Sequence, residues 1–190
     1  LQLALVLGIF GSTSLYITGS SADVWVGYPG TQSVGSGRTI SADVESRVLM
    51  DPAVQRVEPY IWVDGDWRGV GETGGVSVFV SGIDPGANGL MFSKALPPSL
   101  RARLVEPDAV VVDRSALDQL GVGIGQTATI NGHPVRVVGI SSGLRALGGV
   151  NVLCSLDTAR RLNDDPADNG PTYLVAKLRD PSKAGAVAAR

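Results

Sequence analysis

The sequence predicts a two-lobed α+β fold in which strands outnumber helices. A valine-rich stretch in the middle of the chain, 110–140, combines a buried strand with a hairpin. The part before it has the pattern strand, helix, strand, strand (βαββ), and the part after it has the pattern strand, helix, strand, helix (βαβα). Two such units around a β-rich stretch are typical of a discontinuous α/β layer with a smaller inserted lobe.

The stretch 110–140 carries the clearest local signals. Val110–Val112 is a run typical of a buried strand, and Asp113 is placed to cap the short helix that follows. Gly121 lies where that helix should end. Asn131-Gly132, between two β-branched segments, is a strong signal for a two-residue hairpin turn. All four signals predict the same small β-rich module.

The flanking patterns set the predicted domain boundaries. Residues 19–86 and 150–190 are expected to form the discontinuous α/β subdomain, with 87–149 as the inserted β-rich subdomain. Residues 1–18 come before both. Asn88–Glu106, which carries two prolines, is expected to be irregular.

Composition narrows the class of protein. The 190 residues are 44% hydrophobic and carry a formal net charge of −2, from 16 basic and 18 acidic residues. Because there is no basic run and little aromatic content, nucleic acid is not an expected partner. The lone Cys154 lies in an apolar run, so we expect a buried thiol and no internal disulfide. No Walker A motif is present, and the glycines at 121, 123 and 125 lack the G-x-G-x-x-G spacing and precede a strand, so we expect no cofactor.

The two ends of the sequence suggest a longer parent protein. Nothing before Asp23 is charged, and LQLALVLGIF at 1–10 is apolar but shorter than the roughly 20 residues that span a bilayer. Two interpretations of this segment stay open: a buried amphipathic helix, or the outer end of a first membrane helix. We favour the second, with 1–18 as that helix end or stalk. Residues 182–190 have an alanine-rich helical pattern without a stop signal.

Catalytic and metal-binding arrangements are not expected in this sequence. Gly139–Gly143 matches the G-x-S-x-G nucleophile elbow around Ser141, but that motif needs a later histidine, and the only histidine, His133, precedes it. Asp64 and Asp66 flank a glycine without completing a calcium-binding pattern, so a solvated turn is expected there. We therefore predict no catalytic, cofactor-binding or metal-binding residues.

Three tryptophans are the candidates for contact with a partner or substrate. Trp25 lies in a short alternating strand, and Trp62 and Trp67 lie near a glycine-rich loop. Tryptophan is enriched at binding hot spots because it buries a large apolar surface. The alternative for each is a packing role, which for Trp25 would be that of an edge-strand residue.

Four segments in order resemble the extracytoplasmic core domain of FtsX-like and MacB-like ABC transporter permeases. They are ADVWVGYPGT at 22–31, SGIDP at 81–85, VVVDRSALDQLGVGIGQTATINGHPVRVVGIS at 110–141 and TYLVAKLRDP at 172–181. The resemblance covers most of the chain. It implies a porter-like α/β layer, and a sabre-like lobe inserted where the patterns already divide the chain.

The resemblance also implies a role without catalysis. A separate ABC ATPase would hydrolyse ATP, and the permease would pair with a second copy or a paralogue. The domain would lie on the extracytoplasmic side of the cell (inner) membrane, held by membrane helices on both sides. There it would relay their movement to a lipid, peptide, lipoprotein or drug substrate. A periplasmic adaptor is a further partner that the family allows, although no adaptor-docking hairpin is evident.

Two other functions stay open from the residues themselves. One is a free-standing extracytoplasmic binding module that uses Trp62 and Trp67. The other is a serine hydrolase that uses Ser141.

Overall fold

The structure is a computed structural model that describes residues 15–71, 74–145, 149–165 and 169–189. Its helices are α1 (Leu15–Thr18), α2 (Asp43–Leu49), α3 (Pro98–Arg103), α4 (Leu117–Leu120), α5 (Leu156–Leu162) and α6 (Ala184–Ala188). Its strands are β1 (Val24–Val26), β2 (Val54–Arg68), β3 (Val76–Ile83), β4 (Ala109–Asp113), β5 (Thr127–Ile130), β6 (His133–Ser141), β7 (Val150–Ser155) and β8 (Tyr173–Leu178). Strands dominate and helices are short, which confirms the α+β class.

These strands form one sheet in the order β1-β8-β2-β3-β7-β4-β6-β5. A further pairing joins β5 to β2, with Trp67 opposite Ile130 and Arg68 opposite Thr129. This pairing closes the series from β2 to β5 into a six-stranded barrel, as seen in the described part of the chain. β1 and β8 lie outside the barrel, where β8 pairs with the first half of β2.

The barrel interior holds the largest apolar cluster. Side chains alternate across a strand, so every second residue points inward. The inward residues are mostly valines: Val63, Val78, Val80, Val110, Val112, Val135, Val137 and Val152. Because β4 and β7 are antiparallel, the helices that follow them, α4 and α5, lie at opposite ends of the barrel. Leu120 of α4 and Leu162 of α5 join the cluster, so both ends are plugged.

Strand β2 is shared by the two parts of the molecule. Its first half pairs with β8 and its second half with β3. Its 15 residues span about 50 Å at about 3.3 Å per residue. The turn expected at Asp64-Gly65-Asp66 is wrong, because β2 continues through it. The glycine serves packing instead: a Cβ on Gly65 would lie 2.8 Å from Ile130 Cγ2 and 2.9 Å from Val78 Cγ2, inside the barrel.

Outside the barrel, β1, β8 and the first half of β2 form a three-stranded antiparallel sheet. One face packs against Val48 of α2 and Val187 of α6, through the buried residues Val24, Val54, Ala176 and Leu178. The other face carries Tyr60, Tyr173 and Val175, which join the second large cluster. The two halves of the predicted α/β pattern, β1-α2-β2-β3 and β7-α5-β8-α6, are confirmed in this order.

The local predictions for 110–140 are confirmed. The Asp113 side chain accepts a hydrogen bond from Ser115 N at 2.8 Å, as a cap should. Gly121 ends α4 in the left-handed conformation, with φ 61°. Asn131 and Gly132 also have positive φ, 51° and 78°, and form the turn between β5 and β6.

Other expectations have mixed outcomes. The prediction that Asn88–Glu106 is irregular is wrong in part, because α3 forms there with a proline in its first turn, where the missing N–H is harmless. The boundaries of the inserted subdomain 87–149 stay a prediction; its strands β4, β5 and β6 share the barrel with β2, β3 and β7. Most of the helix expected before Tyr16 lies outside the described residues. Among those that are described, no helix is long and apolar enough to cross a membrane.

Candidate functional site

The segment that leads into the domain and the segment that leaves it meet at β1 and β8. These strands are antiparallel neighbours, with Trp25 opposite Val175. Asp23 N donates to Ala176 O at 2.8 Å, which extends the pairing one residue before β1. The residues just before β1 and just after β8 therefore lie side by side. We call the residues 23–26 and 174–178 the β1–β8 junction.

Asp23 and Lys177 fasten this junction. Asp23 Oδ1 accepts from Lys177 Nζ at 2.9 Å, and Asp23 Oδ2 accepts from the N–H of Leu178 at 2.8 Å. Lys177 Nζ also donates to Ser21 O at 3.0 Å. The Asp23 side chain is only 12% exposed, so water screens this ion pair less than it screens an ordinary surface pair.

Buried charges hold the loop that follows β3, Asp84–Lys94. Glu58 Oε2 accepts from Leu90 N at 2.7 Å, and Glu58 Oε1 accepts from Met91 N at 3.4 Å. The Arg101 guanidinium donates to the carbonyl oxygens of Asp84 and Met91. Both charged residues are 2% exposed. Burial raises the pKa of Glu58 and lowers the pKa of Arg101.

An aromatic cluster lies between the loop and the junction. Its five rings come from α1, β1, β2, the loop and β8, and are Tyr16, Trp25, Tyr60, Phe92 and Tyr173. Neighbouring ring centroids are 5.6 to 6.4 Å apart, mostly in edge-to-face arrangements. Burial raises the pKa of each of the three tyrosines, so their hydroxyls stay neutral and the cluster is a packing element.

The three predicted contact residues do not lie together. Trp25 is half-buried in the aromatic cluster. Trp62 is half-buried on the outer face of β2 and packs on Phe79, with ring centroids 5.3 Å apart. Trp67 is fully buried at the barrel, where its Nε1 donates to Leu120 O at 3.0 Å, and as folded it offers no surface to a partner. The contact role predicted for these residues stays a prediction.

Trp62 borders a crevice of about 330 Å³ beside β2, just before the start of β8. Its other walls come from the loop before α2, the middle of β2 and the segment between α5 and β8. The polar side chains that line it are Thr39, Asp64, Asn163, Asp164 and Thr172. An indole beside two carboxylates and several hydrogen-bonding groups suits an amphipathic ligand that carries no negative charge.

Ser141 does not have the setting of a catalytic nucleophile. It is the last residue of β6, and its hydroxyl donates to Ala95 O at 3.0 Å. His133 lies at the other end of the same strand, about 25 Å away at about 3.3 Å per residue. That histidine is therefore out of reach of the Ser141 hydroxyl. In the parts of the chain that the structure describes, no group of three or more His, Cys, Asp and Glu residues is placed to hold a metal ion.

Sequence reasoning missed the charged residues that matter most here. Lys177 interrupts the otherwise apolar strand YLVAKL, and Glu58 lies between Val57 and the run PYIWV in VQRVEPYIWV. A charge in a buried strand needs a partner, so each was a signal for a specific polar contact. The distant partners could not be read from the sequence: the N–H groups of Leu90 and Met91 that donate to Glu58 lie more than 30 residues from it, and Asp23 lies more than 150 residues from Lys177.

Comparisons with known proteins agree with this architecture. The model of the MacB-like periplasmic core domain matches residues 2–190. The structure is similar to the extracellular domain of the noncanonic ABC-type transporter YknZ from Gram-positive bacteria, with 10% identity, a TM-score of 0.56 and coverage of 86% of each chain. It is also similar to the periplasmic region of MacB from Actinobacillus actinomycetemcomitans, with 16% identity, a TM-score of 0.50 and coverage of 86% of this chain and 78% of that one. No curated protein matches the chain.

These findings define an extracytoplasmic domain of an ABC transporter permease. The chain belongs to the family of MacB-like periplasmic core domains, since the family model covers nearly all of it. The resemblance found in the sequence is thereby confirmed. The two structural likenesses, at such low identity, show the fold alone.

Proposed function

We propose that this domain relays ATP-driven movement of flanking membrane helices to a substrate or partner outside the membrane, without chemistry of its own. The observation that carries the proposal is the β1–β8 junction. The incoming and outgoing segments are hydrogen-bonded neighbours, fastened by Asp23 and Lys177. A displacement of either segment therefore acts on the same sheet.

Strand β2 supplies the transmission. It carries the three-stranded sheet at one end and the barrel at the other, with no loop between them. A tilt of the sheet therefore becomes a displacement of the barrel, in the manner of a rigid-body movement about an interface. The filled barrel interior resists deformation, because close-packed cores have low compressibility.

The setting of this relay follows from the family. The domain would be held on the extracytoplasmic side of the cell (inner) membrane by helices on both sides, with an ABC ATPase as the motor. A second permease copy, or a paralogue, would bring a second such domain alongside. The substrate would be a lipid, peptide, lipoprotein or drug, and a periplasmic adaptor is a further candidate partner. Trp62, beside its crevice, is the residue we propose for substrate contact.

The test uses the full-length permease with its ATPase in lipid nanodiscs. A spin label at Ile124→Cys, on an exposed side chain of the barrel rim, reports the distance between the barrels of the two permease copies. The native Cys154 is buried and burial raises the pKa of its thiol, so it should not take the label. Where the second subunit is a paralogue, its equivalent residue is labelled.

We expect the distance between the barrels to change when ATP binds. Replacing both Asp23 and Lys177 by Ala should reduce that change while ATP hydrolysis continues. The matched control replaces Asp157 and Arg160, an exposed ion pair on α5, by Ala and should leave the change intact. A distance that is the same with and without nucleotide in the unmodified permease contradicts the relay.

A further inference from the structure

Residues 15–21, here called the strap, bind to the loop Asp84–Lys94 through the backbone. Ser21 N donates to Leu90 O at 3.0 Å, and Lys94 N donates to Gly19 O at 3.0 Å. The Ser20 hydroxyl adds a second bond to Leu90 O at 3.1 Å. The strap thus pairs with the loop much as an added strand pairs with a sheet edge, although it is not itself a strand.

The loop is shaped for this contact by groups other than the strap. Glu58 accepts hydrogen bonds from the N–H groups of Leu90 and Met91, and Arg101 donates to Met91 O. Arg56 Nη1 donates to Asn88 O at 2.7 Å. These side chains occupy the inner backbone groups of the loop, and Leu90 O and Lys94 N are left for the strap. The loop can therefore keep its shape when the strap is absent.

Two unfavourable features lie at the contact itself. Phe92, which is fully buried, has a φ of 54°, a left-handed conformation that costs free energy for a bulky residue. Its ring meets the Tyr16 ring of the strap edge-on, with centroids 5.8 Å apart. The Tyr16 hydroxyl is buried and, within the described residues, has no hydrogen-bond partner of acceptable geometry, although Trp62 is near. An unpaired buried hydroxyl also costs free energy.

The strap is held unevenly along its length. Leu15, Tyr16, Gly19 and Ser20 are buried, but Ile17 is 60% exposed. Directly after the strap, Asp23 is fixed by an ion pair and by the sheet. Within a few residues the chain therefore passes from a segment held by neutral hydrogen bonds and packing to one that is also fixed by an ion pair and by the sheet, and a conformational change of the strap can end there.

From these contacts we propose that the strap is a detachable latch: it docks on the Glu58-held loop in one conformational state and leaves it in another. This inference rests on the relay described above and specifies its regulation. While the strap is docked, movement of the incoming segment reaches β3 and α3 as well as β1. After release, it reaches the domain through β1 alone. The balance between the states is set by the costs at Tyr16 and Phe92.

The experiment measures strap position in the full-length permease with its ATPase in nanodiscs. Spin labels at Ile17→Cys and Gln55→Cys, both on exposed side chains, report the distance between the strap and the first half of β2. We expect two populations, one at the docked distance of this structure and one longer, in a ratio that depends on nucleotide.

Two variants should move this ratio in opposite directions. Tyr16→Phe removes the unpaired hydroxyl without changing the ring and should raise the docked-to-released ratio by about tenfold. Glu58→Gln leaves one of the two loop N–H groups facing an amide N–H and should lower the ratio. Tyr28→Phe and Glu106→Gln are the matched controls on exposed or partly exposed sites, and should leave it unchanged.

A single distance that responds to neither nucleotide nor Tyr16→Phe would overturn the latch, and the strap would then be a fixed part of the fold. If the barrels still move with nucleotide in that case, the relay stands and only the latch fails. If neither the barrels nor the strap move, both proposals fail.

Discussion

The barrel and the three-stranded sheet are built by different means, although β2 runs through both. The barrel is closed, and its interior is almost entirely aliphatic and fully buried. The three-stranded sheet is open at β1 and rests on a small apolar cluster on one face. Its other face carries the aromatic cluster and buried charges such as Glu58.

This difference makes the barrel rigid and leaves the three-stranded sheet able to adjust. An aliphatic core tolerates little change in shape, because each displaced methyl group loses dispersion contacts. Hydrogen bonds and ion pairs at a partly exposed edge can be exchanged for water at a modest net cost. The barrel is therefore suited to move as a unit, and the sheet, with the β1–β8 junction and the loop Asp84–Lys94, is suited to absorb the change.

The largest expected effect concerns the barrel. Trp67→Ala should lower the free energy of unfolding by about 3 to 5 kcal/mol, because it empties a fully buried site and leaves Leu120 O unpaired. Trp62→Ala, at a half-buried site, should cost clearly less. Urea denaturation of the domain measures both. Equal losses for the two variants would show that the barrel is not the more tightly packed region.

Gly65→Val tests how tightly the barrel interior is packed at its wall. The new side chain would enter the space of Ile130 and Val78, so we expect a loss of about 3 kcal/mol from overpacking. Gly74→Val is the matched control, since among the described residues no atom outside its two chain neighbours lies within 4 Å of a Cβ built there. Thermal unfolding of the two variants should separate them by several degrees. A harmless Gly65→Val would mean that the barrel interior can expand.

At the β1–β8 junction, Asp23→Ala should cost about 2 kcal/mol. It removes charge-assisted hydrogen bonds to Lys177 and Leu178 and leaves that N–H without its acceptor. The exposed Asp157→Ala is the control, with a much smaller loss. Hydrogen exchange should locate the effect in β1 and β8. Faster exchange in the barrel strands as well would show that the two regions are not independent.

The smallest expected effect is a pH dependence of the free energy of unfolding that is caused by Glu58. Burial raises the pKa of Glu58 above its value in the unfolded chain. As the pH falls through this raised pKa, the folded protein takes up a proton before the unfolded chain does, so this contribution to stability increases. Glu58→Gln removes the contribution. The free energy of unfolding of the natural protein minus that of the variant should therefore rise as the pH falls through the raised pKa of Glu58.

The natural protein must be compared with the Glu58→Gln variant at each pH, because Asp113 changes the stability with pH in the opposite direction. Burial raises the pKa of Asp113, but hydrogen bonds from Ser115 and from the N–H of Leu144 more than reverse this and lower it. Its contribution to stability is lost as the pH falls through the lowered pKa. Asp113 is the same in both proteins, so its effect cancels. A difference that does not depend on pH would contradict the raised pKa of Glu58.

Local features of the fold were predictable from the sequence. The cap at Asp113, the left-handed Gly121 and the Asn131-Gly132 turn each depend on a few neighbouring residues, and the structure confirms all three. The prediction of a turn at Asp64-Gly65-Asp66 was wrong because the conformation there depends on residues that are distant in the chain. Glycine between two aspartates favours a turn locally, but Gly65 is required by Ile130 and Val78, which are distant in the chain.

Closure of the barrel was not predictable by these means. It depends on the short pairing of β2 with β5, in which Trp67 lies opposite Ile130 and Arg68 lies opposite Thr129. Strand patterns show that a residue is half-buried, not which strand lies beside it. For the same reason Trp67 was taken as a contact candidate, since a tryptophan beside a glycine-rich loop gives the same local pattern whether it faces solvent or a barrel interior.

Hydrogen exchange of the full-length permease, with and without ATP, tests most directly whether the barrel stays rigid while the three-stranded sheet adjusts. We predict that backbone amides of β3, β4 and β7 exchange slowly and equally in both states. The amides of Ser21 and Lys94, which join the strap to the loop, and those of the β1–β8 junction should change protection when nucleotide binds. A nucleotide-dependent change throughout the barrel strands, with none at the junction or the loop, would contradict the account.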